Sequence, residues 1–136
     1  MPNSQVDVTA GAPNLESYTV NGDGTVTDNV TGLVWQQTAS PMLFTQAAAV
    51  AYCAGLSLGG HTDWRAPSYV ELVSLVDYGK QSPNINALAF PGEIGEPFWS
   101  STPYAVPNGS GWVVAFNVGY VDIYDVTSSH YVRCVR

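Results

Sequence analysis

The stretch Gly59-Gly60-His61-Thr62-Asp63-Trp64-Arg65-Ala66-Pro67-Ser68-Tyr69-Val70-Glu71-Leu72 decides how the rest of the chain is read. Gly59-Gly60 interrupts the segment before it, because glycine accepts backbone angles that other residues avoid. Pro67 disfavours helix at Ala66. Ser68 and Glu71 then stand at capping-box spacing: the serine hydroxyl accepts from the Glu71 amide, and the carboxylate reaches back to the Ser68 amide. Leu72, Leu75 and Val76 follow at i, i+3 and i+4, an apolar helical stripe. Gly79 is the expected stop. Arg65 has two candidate carboxylate partners, Asp63 and Glu71.

Upstream, Thr45 is placed to cap a first helix that runs to about Leu56. Ala47, Ala48, Ala49 and Ala51 give it high propensity. Val50, Cys53 and Ala54 are its expected inner face, with Gly55 near the end. Before it, Tyr18-Thr19-Val20 and Thr25-Val26-Thr27 flank Asn21-Gly22-Asp23-Gly24, a hairpin signal. A further turn at Asp28–Gly32 leads to a buried strand at Leu33-Val34-Trp35. Residues 1–16 are polar and aperiodic and are expected to form a flexible lead-in or linker, leaving 17–136 as one domain.

Downstream, residues 79–97 carry Pro83, Pro91 and Pro97 and are expected to form a long loop, with Ile85, Leu88, Phe90 and Ile94 buried. Phe98–Thr102 is a strand signal. Beyond Pro103 and Pro107 the pattern has period two. Trp112, Val114 and Phe116 alternate with Val113, Ala115 and Asn117. After a turn at Asn117-Val118-Gly119, Val121 and Ile123 alternate with Tyr120, Asp122 and Tyr124. Tyr131–Arg136 is expected to be a last strand.

The 136 residues suit one domain, and 46% hydrophobic with only 11% charged is a globular composition. Net charge is −7, with four cationic residues, Arg65, Lys80, Arg133 and Arg136. These are too few and too scattered to track a phosphate backbone, so nucleic acid is excluded as a partner, and sulfated glycans are disfavoured. No apolar run reaches the length of a membrane span, so membrane insertion is not expected. The Met1-Pro2-Asn3 start shows no signal peptide, which does not make the protein cytoplasmic. Cys53 and Cys134 lack metal-ligand spacing. They are either two buried thiols or one disulfide. A disulfide would close about 80 residues, contribute roughly 4–5 kcal/mol on the chain-entropy model, and place the protein in an oxidising compartment.

Several of these segments together resemble one family. Leu58-Gly59-Gly60, Asp63-Trp64-Arg65, Pro67 and Glu71-Leu72 with Ser74-Leu75-Val76-Asp77-Tyr78 are similar to the Lcl C-terminal domain family, named for the adhesive tip of a bacterial collagen-like surface protein. Asn21 to Trp35 resembles its opening motif. Tyr52-Cys53, Trp99-Ser100-Ser101-Thr102 with Tyr104, and Tyr131–Arg136 match in order, covering about residues 18–136. The resemblance implies an α+β, C-type lectin-like fold: two helices flanking a small, mostly antiparallel sheet, with a long loop before the C-terminal strands. It also implies a Cys53–Cys134 disulfide from first helix to last strand. As to function, it implies a secreted or cell-surface adhesin, or a phage virion protein, that binds a glycan or a surface protein and can assemble as a homotrimer. Domains of this fold also serve as variable receptors diversified by retroelements, which bind protein ligands, or as structural caps of fibres.

The candidate recognition residues come from the alternation. If Val121 and Ile123 face inward, Tyr120, Asp122 and Tyr124 face outward together. Tyrosine offers contact area at low entropy cost with a polar tip. Tyr104, Asn108 and Asn117, in neighbouring loops or turns, extend the candidate surface. The alternative is an ordinary solvated strand face.

No cofactor is expected. In the Asn21–Asp28 loop, Asn21, Asp23, Thr25, Thr27 and Asp28 are hard oxygen donors that invite calcium. An EF-hand register with Gly24 sixth, however, puts Thr19 first and Val30 twelfth, without the needed carboxylates. Calcium-dependent lectins resemble one another in a Glu-Pro-Asn loop and a Trp-Asn-Asp strand. Here Glu96-Pro97-Phe98 and Trp112-Val113-Val114 stand instead. An enzyme is not expected either. His61 and His130 lack a nucleophile-elbow context. Formylglycine-generating enzymes share the broad fold but need active-site cysteines. Asp122 and Asp125 read as surface polar groups.

Overall fold

The computed structural model describes residues 16–77, 85–92, 96–104, 109–116 and 120–136. The chain begins with strands β1 (Tyr18–Val20), β2 (Thr25–Asp28) and β3 (Val34–Gln36), which form an antiparallel sheet in that order. The Asn21–Gly24 turn forms as the sequence predicts, with Gly22 and Gly24 at φ 80° and 88°. The Asp23 carboxylate accepts from the Thr25 amide at 3.1 Å and from its hydroxyl at 2.5 Å, and the Asn21 amide group donates to the Thr25 and Thr27 hydroxyls. Asp23, Asn21, Thr25 and Thr27 thus hold the hairpin together, while Asp28 Oδ1 accepts from the Val30 and Thr31 amides of the next turn.

Helix α1 (Gln46–Ala54) starts at Thr45, whose side chain accepts from the Ala48 amide, and ends at Gly55. Its inner face differs from the expected one. Ala49 and Cys53 are buried, while Val50 is 42% exposed and Ala54 is exposed. Two residues on one side anchor the helix: Cys53 through its disulfide, and Tyr52, which stacks on Phe44 and accepts from the Gln36 side chain at 3.0 Å; with these turned inward, Val50 faces outward.

The deciding stretch folds as its residues require. Helix α2 (Tyr69–Val73) has the complete capping box: Glu71 N donates to Ser68 Oγ at 3.2 Å, and Ser68 N donates to Glu71 Oε1 at 2.8 Å. Both Arg65 Nη atoms also reach the Glu71 carboxylate at 2.7 Å, so Glu71 rather than Asp63 is the partner of Arg65. The guanidinium holds the Glu71 carboxyl below its ordinary range. Asp63 instead pairs with Arg136 at 2.6 Å. Leu72, Leu75 and Val76 are all buried, but only Leu72 lies in the five-residue helix. The amides of Leu75 and Val76 donate to carbonyls three residues back, which tightens the end into a 3₁₀-like turn. Gly79 lies outside the described residues.

Gly59, at φ 61°, lies against the first hairpin. A Cβ there would come within 2.9 Å of Asp23 Oδ2 and Thr25 Cγ2. Gly59→Ala is therefore expected to cost about 1–3 kcal/mol, from backbone strain plus the clash, in a denaturant titration. An unchanged midpoint would show that the hairpin yields freely.

The second sheet contains β4 (Pro97–Tyr104), β5 (Ser110–Ala115) and β6 (Tyr120–Asp125), antiparallel in that order. The expected single sheet is thus two three-stranded sheets. The register of β4 slips between Trp99 and Pro103. Ser100 serves the irregularity: its hydroxyl donates to the Trp112 carbonyl at 2.7 Å and accepts from the Thr102 amide at 3.2 Å.

This sheet separates two cores. Phe98, Val114 and Phe116 join Val26, Trp35, Leu72, Leu75, Ile85 and Phe90. Trp99 and Val113 join Ala49, Cys53, Trp64, Val132 and Cys134. Three of the tryptophans are core residues, and Trp112 is half-buried, stacked on Tyr69 with centroids 5.3 Å apart. Leu88, expected inside, is 90% exposed. The Asn86 side chain accepts from the Leu88 and Ala89 amides and forms a turn that buries Ala89 and Phe90 instead. Ile94 lies outside the described residues.

The C-terminal segment is not the regular strand that was expected. It makes single bridges to four neighbours in turn: His130 to Phe44, Tyr131 to Phe98, and Val135 to both Trp35 and Arg65. Its last three residues lie along β3, with mutual backbone hydrogen bonds between Val34 and Arg136 and one from the Gln36 amide to the Cys134 carbonyl, and the segment as a whole joins both sheets. The Cys53–Cys134 disulfide anchors it to α1, with Cα atoms 5.4 Å apart.

A candidate binding cleft beside the C-terminal segment

The C-terminal segment and the second sheet together form a cleft. Leu43, Glu96, Pro97, Tyr124, Ser129, His130 and Tyr131 line an open volume of about 640 Å³. Each wall has a local cause. Mutual backbone hydrogen bonds at 2.8 and 2.9 Å hold His130 against Phe44. The Trp99 amide donates to the Tyr131 carbonyl at 2.8 Å, which sets Tyr131 beside the start of β4. Tyr124 lies opposite Gly111 in the register and packs against the second core.

His130 is the centre of the wall. Its ring meets Trp99 edge-on at 5.0 Å and lies 4.5 Å from the Tyr124 ring. Burial pushes its pKa below the ordinary histidine value, against a smaller opposing pull from the Glu96 carboxylate. It is therefore neutral at pH 7. The Ser128 hydroxyl donates to the Asp125 carbonyl at 2.6 Å and contacts His130 Nε2 at 3.1 Å. With its hydrogen committed to Asp125, Ser128 accepts from Nε2–H, a tautomer assigned from the network.

Of the residues named from the alternation, Tyr124 lines this cleft. Asp122 lies two residues away on the strand, half-buried opposite Val113, with its carboxylate accepting from the Ile123 amide at 2.8 Å. Tyr104 pairs with Ser110 and Tyr120 with Ala115, so their backbones stand at opposite ends of the sheet, about 17 Å apart along β5. The backbones of Tyr104 and Tyr120 do not adjoin. Asn108 and Asn117 lie outside the described residues. Sequence reasoning missed Leu43, Glu96, Pro97, Ser129, His130 and Tyr131 as site residues. Glu96-Pro97 was weighed only as a calcium loop, and no local pattern brings it beside 129–131.

The described residues thus form a disulfide-braced α+β frame with an open cleft lined by aromatic rings and one carboxylate. Residues 24–136 match the family model described as the Lcl C-terminal domain, and the chain belongs to that family. The family is associated with surface proteins and suggests an adhesin-type domain. Comparison with curated proteins gives no match. Among the described residues, no helix is long and apolar enough to cross a membrane.

Proposed function

We propose that this domain is the non-enzymatic recognition module of an exported surface adhesin and receives its ligand in the cleft walled by Tyr124, His130 and Tyr131. Placement of Tyr124 carries the proposal: the alternation marks it as a candidate recognition residue, and it lines an open cleft of about 640 Å³. The Ser128–His130 contact supports binding over catalysis, because the serine hydrogen is held by a backbone carbonyl and the imidazole does not act on it as a base. The bond from first helix to C-terminal segment and the arrangement of two helices with antiparallel strands support a C-type lectin-like relationship. The ligand is a glycan or a protein on another surface.

The test is an array of immobilised glycans and surface proteins, probed with the wild-type domain and with Tyr124→Ala, with and without chelator. A ligand bound by the wild type should lose at least about tenfold in affinity to Tyr124→Ala, as expected for a central aromatic contact, and should be indifferent to chelation. Undiminished binding by a folded Tyr124→Ala variant would place recognition elsewhere.

A further inference from the structure

The charges around the cleft narrow its ligand. The exposed guanidiniums are committed: Arg65 to Glu71 and Arg136 to Asp63, each through two hydrogen bonds. Arg133 is buried, at 1% exposure. Among the described residues, no cation lines the cleft, whose histidine is neutral at pH 7. Glu96, at the rim, is exposed and has no ion-pair partner among the described residues. It lines the same cleft as Tyr124 and Tyr131, and the π faces of tyrosine rings attract cations. The chain as a whole carries a net charge of −7, which steers cations toward it and anions away.

We infer that the cleft takes a lysine or arginine side chain of a partner protein, with the cationic head between the Glu96 carboxylate and the tyrosine rings. This rests on the recognition reading above and adds its ligand chemistry. Leu43, Pro97 and the tyrosine rings supply apolar walls for the aliphatic stem, which long basic side chains bury readily. Leu43 and the adjacent Met42 are 50% and 60% exposed, an apolar lip against which the flanking partner chain can rest.

The experiment follows backbone amide resonances of the intact domain during titration with tetralysine, tetraglutamate and chitotetraose. Tetralysine should shift the amides of residues 96, 98, 124 and 129–131 saturably, and tetraglutamate should not. Glu96→Gln should weaken tetralysine about threefold, the scale of an exposed ion pair. Tyr124→Leu, which keeps the apolar volume but removes the ring, should weaken it about two- to fivefold. Cleft shifts with chitotetraose but not with tetralysine would overturn the basic-side-chain assignment and leave the recognition cleft standing. Tetralysine shifts spread over the whole acidic surface and indifferent to Glu96→Gln would overturn it as general charge attraction. Cleft amides that respond to none of the three probes would overturn it as well. The recognition reading itself fails separately, on array binding that survives Tyr124→Ala.

Discussion

Replacing both Cys53 and Cys134 by alanine, or reducing their bond, is expected to lower the unfolding free energy by about 4–5 kcal/mol. The bond spans 81 residues, and the entropy that such a cross-link removes from the unfolded chain grows with the logarithm of loop length. Domains of this size hold roughly 5–15 kcal/mol in total, so the loss is a large share. For 136 residues it corresponds to a fall in melting temperature on the order of 10–20 °C. Differential scanning calorimetry with and without reductant measures it directly. A shift under about 3 °C would mean that the unfolded chain is already compact without the bond.

The same bond bears on the cleft. Cys134 exchanges hydrogen bonds with Gln36: its amide donates to the side-chain oxygen at 3.1 Å, and its carbonyl accepts from the Gln36 amide at 2.9 Å. These contacts and the disulfide fix the segment in which His130 and Tyr131 stand a few residues earlier. Backbone hydrogen bonds to Phe44, Trp99, Ser40, Arg65 and Val34 hold the rest of the segment, and the disulfide adds a covalent tie to α1 that persists in an oxidising environment.

Local chemistry was legible in the sequence wherever it was self-contained. The capping box at Ser68 and Glu71, the cap at Thr45 and the Asn21–Gly24 hairpin need only residues within a few positions of one another, and all formed. The strands β5 and β6 were legible for the same reason, but their division into an inner and an outer face was not: residues 121–124 are all half-buried, with Val121 packed on the first core and Tyr124 on the second. What depended on distant partners was not. The rotation of α1 follows contacts made from outside the helix, the Cys53 disulfide to a residue 81 positions away and the Tyr52 contacts with Gln36 and Phe44, so Val50 lies on the other face. Tyr131–Arg136 has the apolar content of a strand, but its neighbours change every residue or two. The cleft draws on position 43, positions 96–97, Tyr124 and residues 129–131, and no sequence period links them. The alternation singled out Tyr124, which lines the cleft, whereas the place of His130 comes from Trp99 and Tyr124, which pack around it.

Arg133→Ala is expected to cost about 3–5 kcal/mol, a large effect for a residue that sequence reasoning counted only as one of four charges. Arg133 is buried with its guanidinium carbon 4.8 Å from the Phe90 ring centroid and 5.3 Å from that of Phe98. Nη1 donates to the Gln36 carbonyl at 2.9 Å and also to the Gln37 carbonyl. One side chain thus ties the end of β3, the loop that carries Phe90 and the start of β4, three pieces that otherwise share little backbone pairing. Alanine leaves a void between the rings and deprives two carbonyls of their donor. Arg133→Met retains most of the apolar stem and should lose about half as much, chiefly the hydrogen bonds. Arg133→Lys should fall between them or lower, because a compact ammonium that reaches the carbonyls lacks the flat face that the guanidinium lays against the two rings. Denaturant titration of the three variants gives the order. An alanine variant within about 1 kcal/mol of the wild type would show that the core closes over the gap and that the charge contributes little. The expected order would instead make Arg133 the polar tie that holds the two sheets in the arrangement on which the cleft depends.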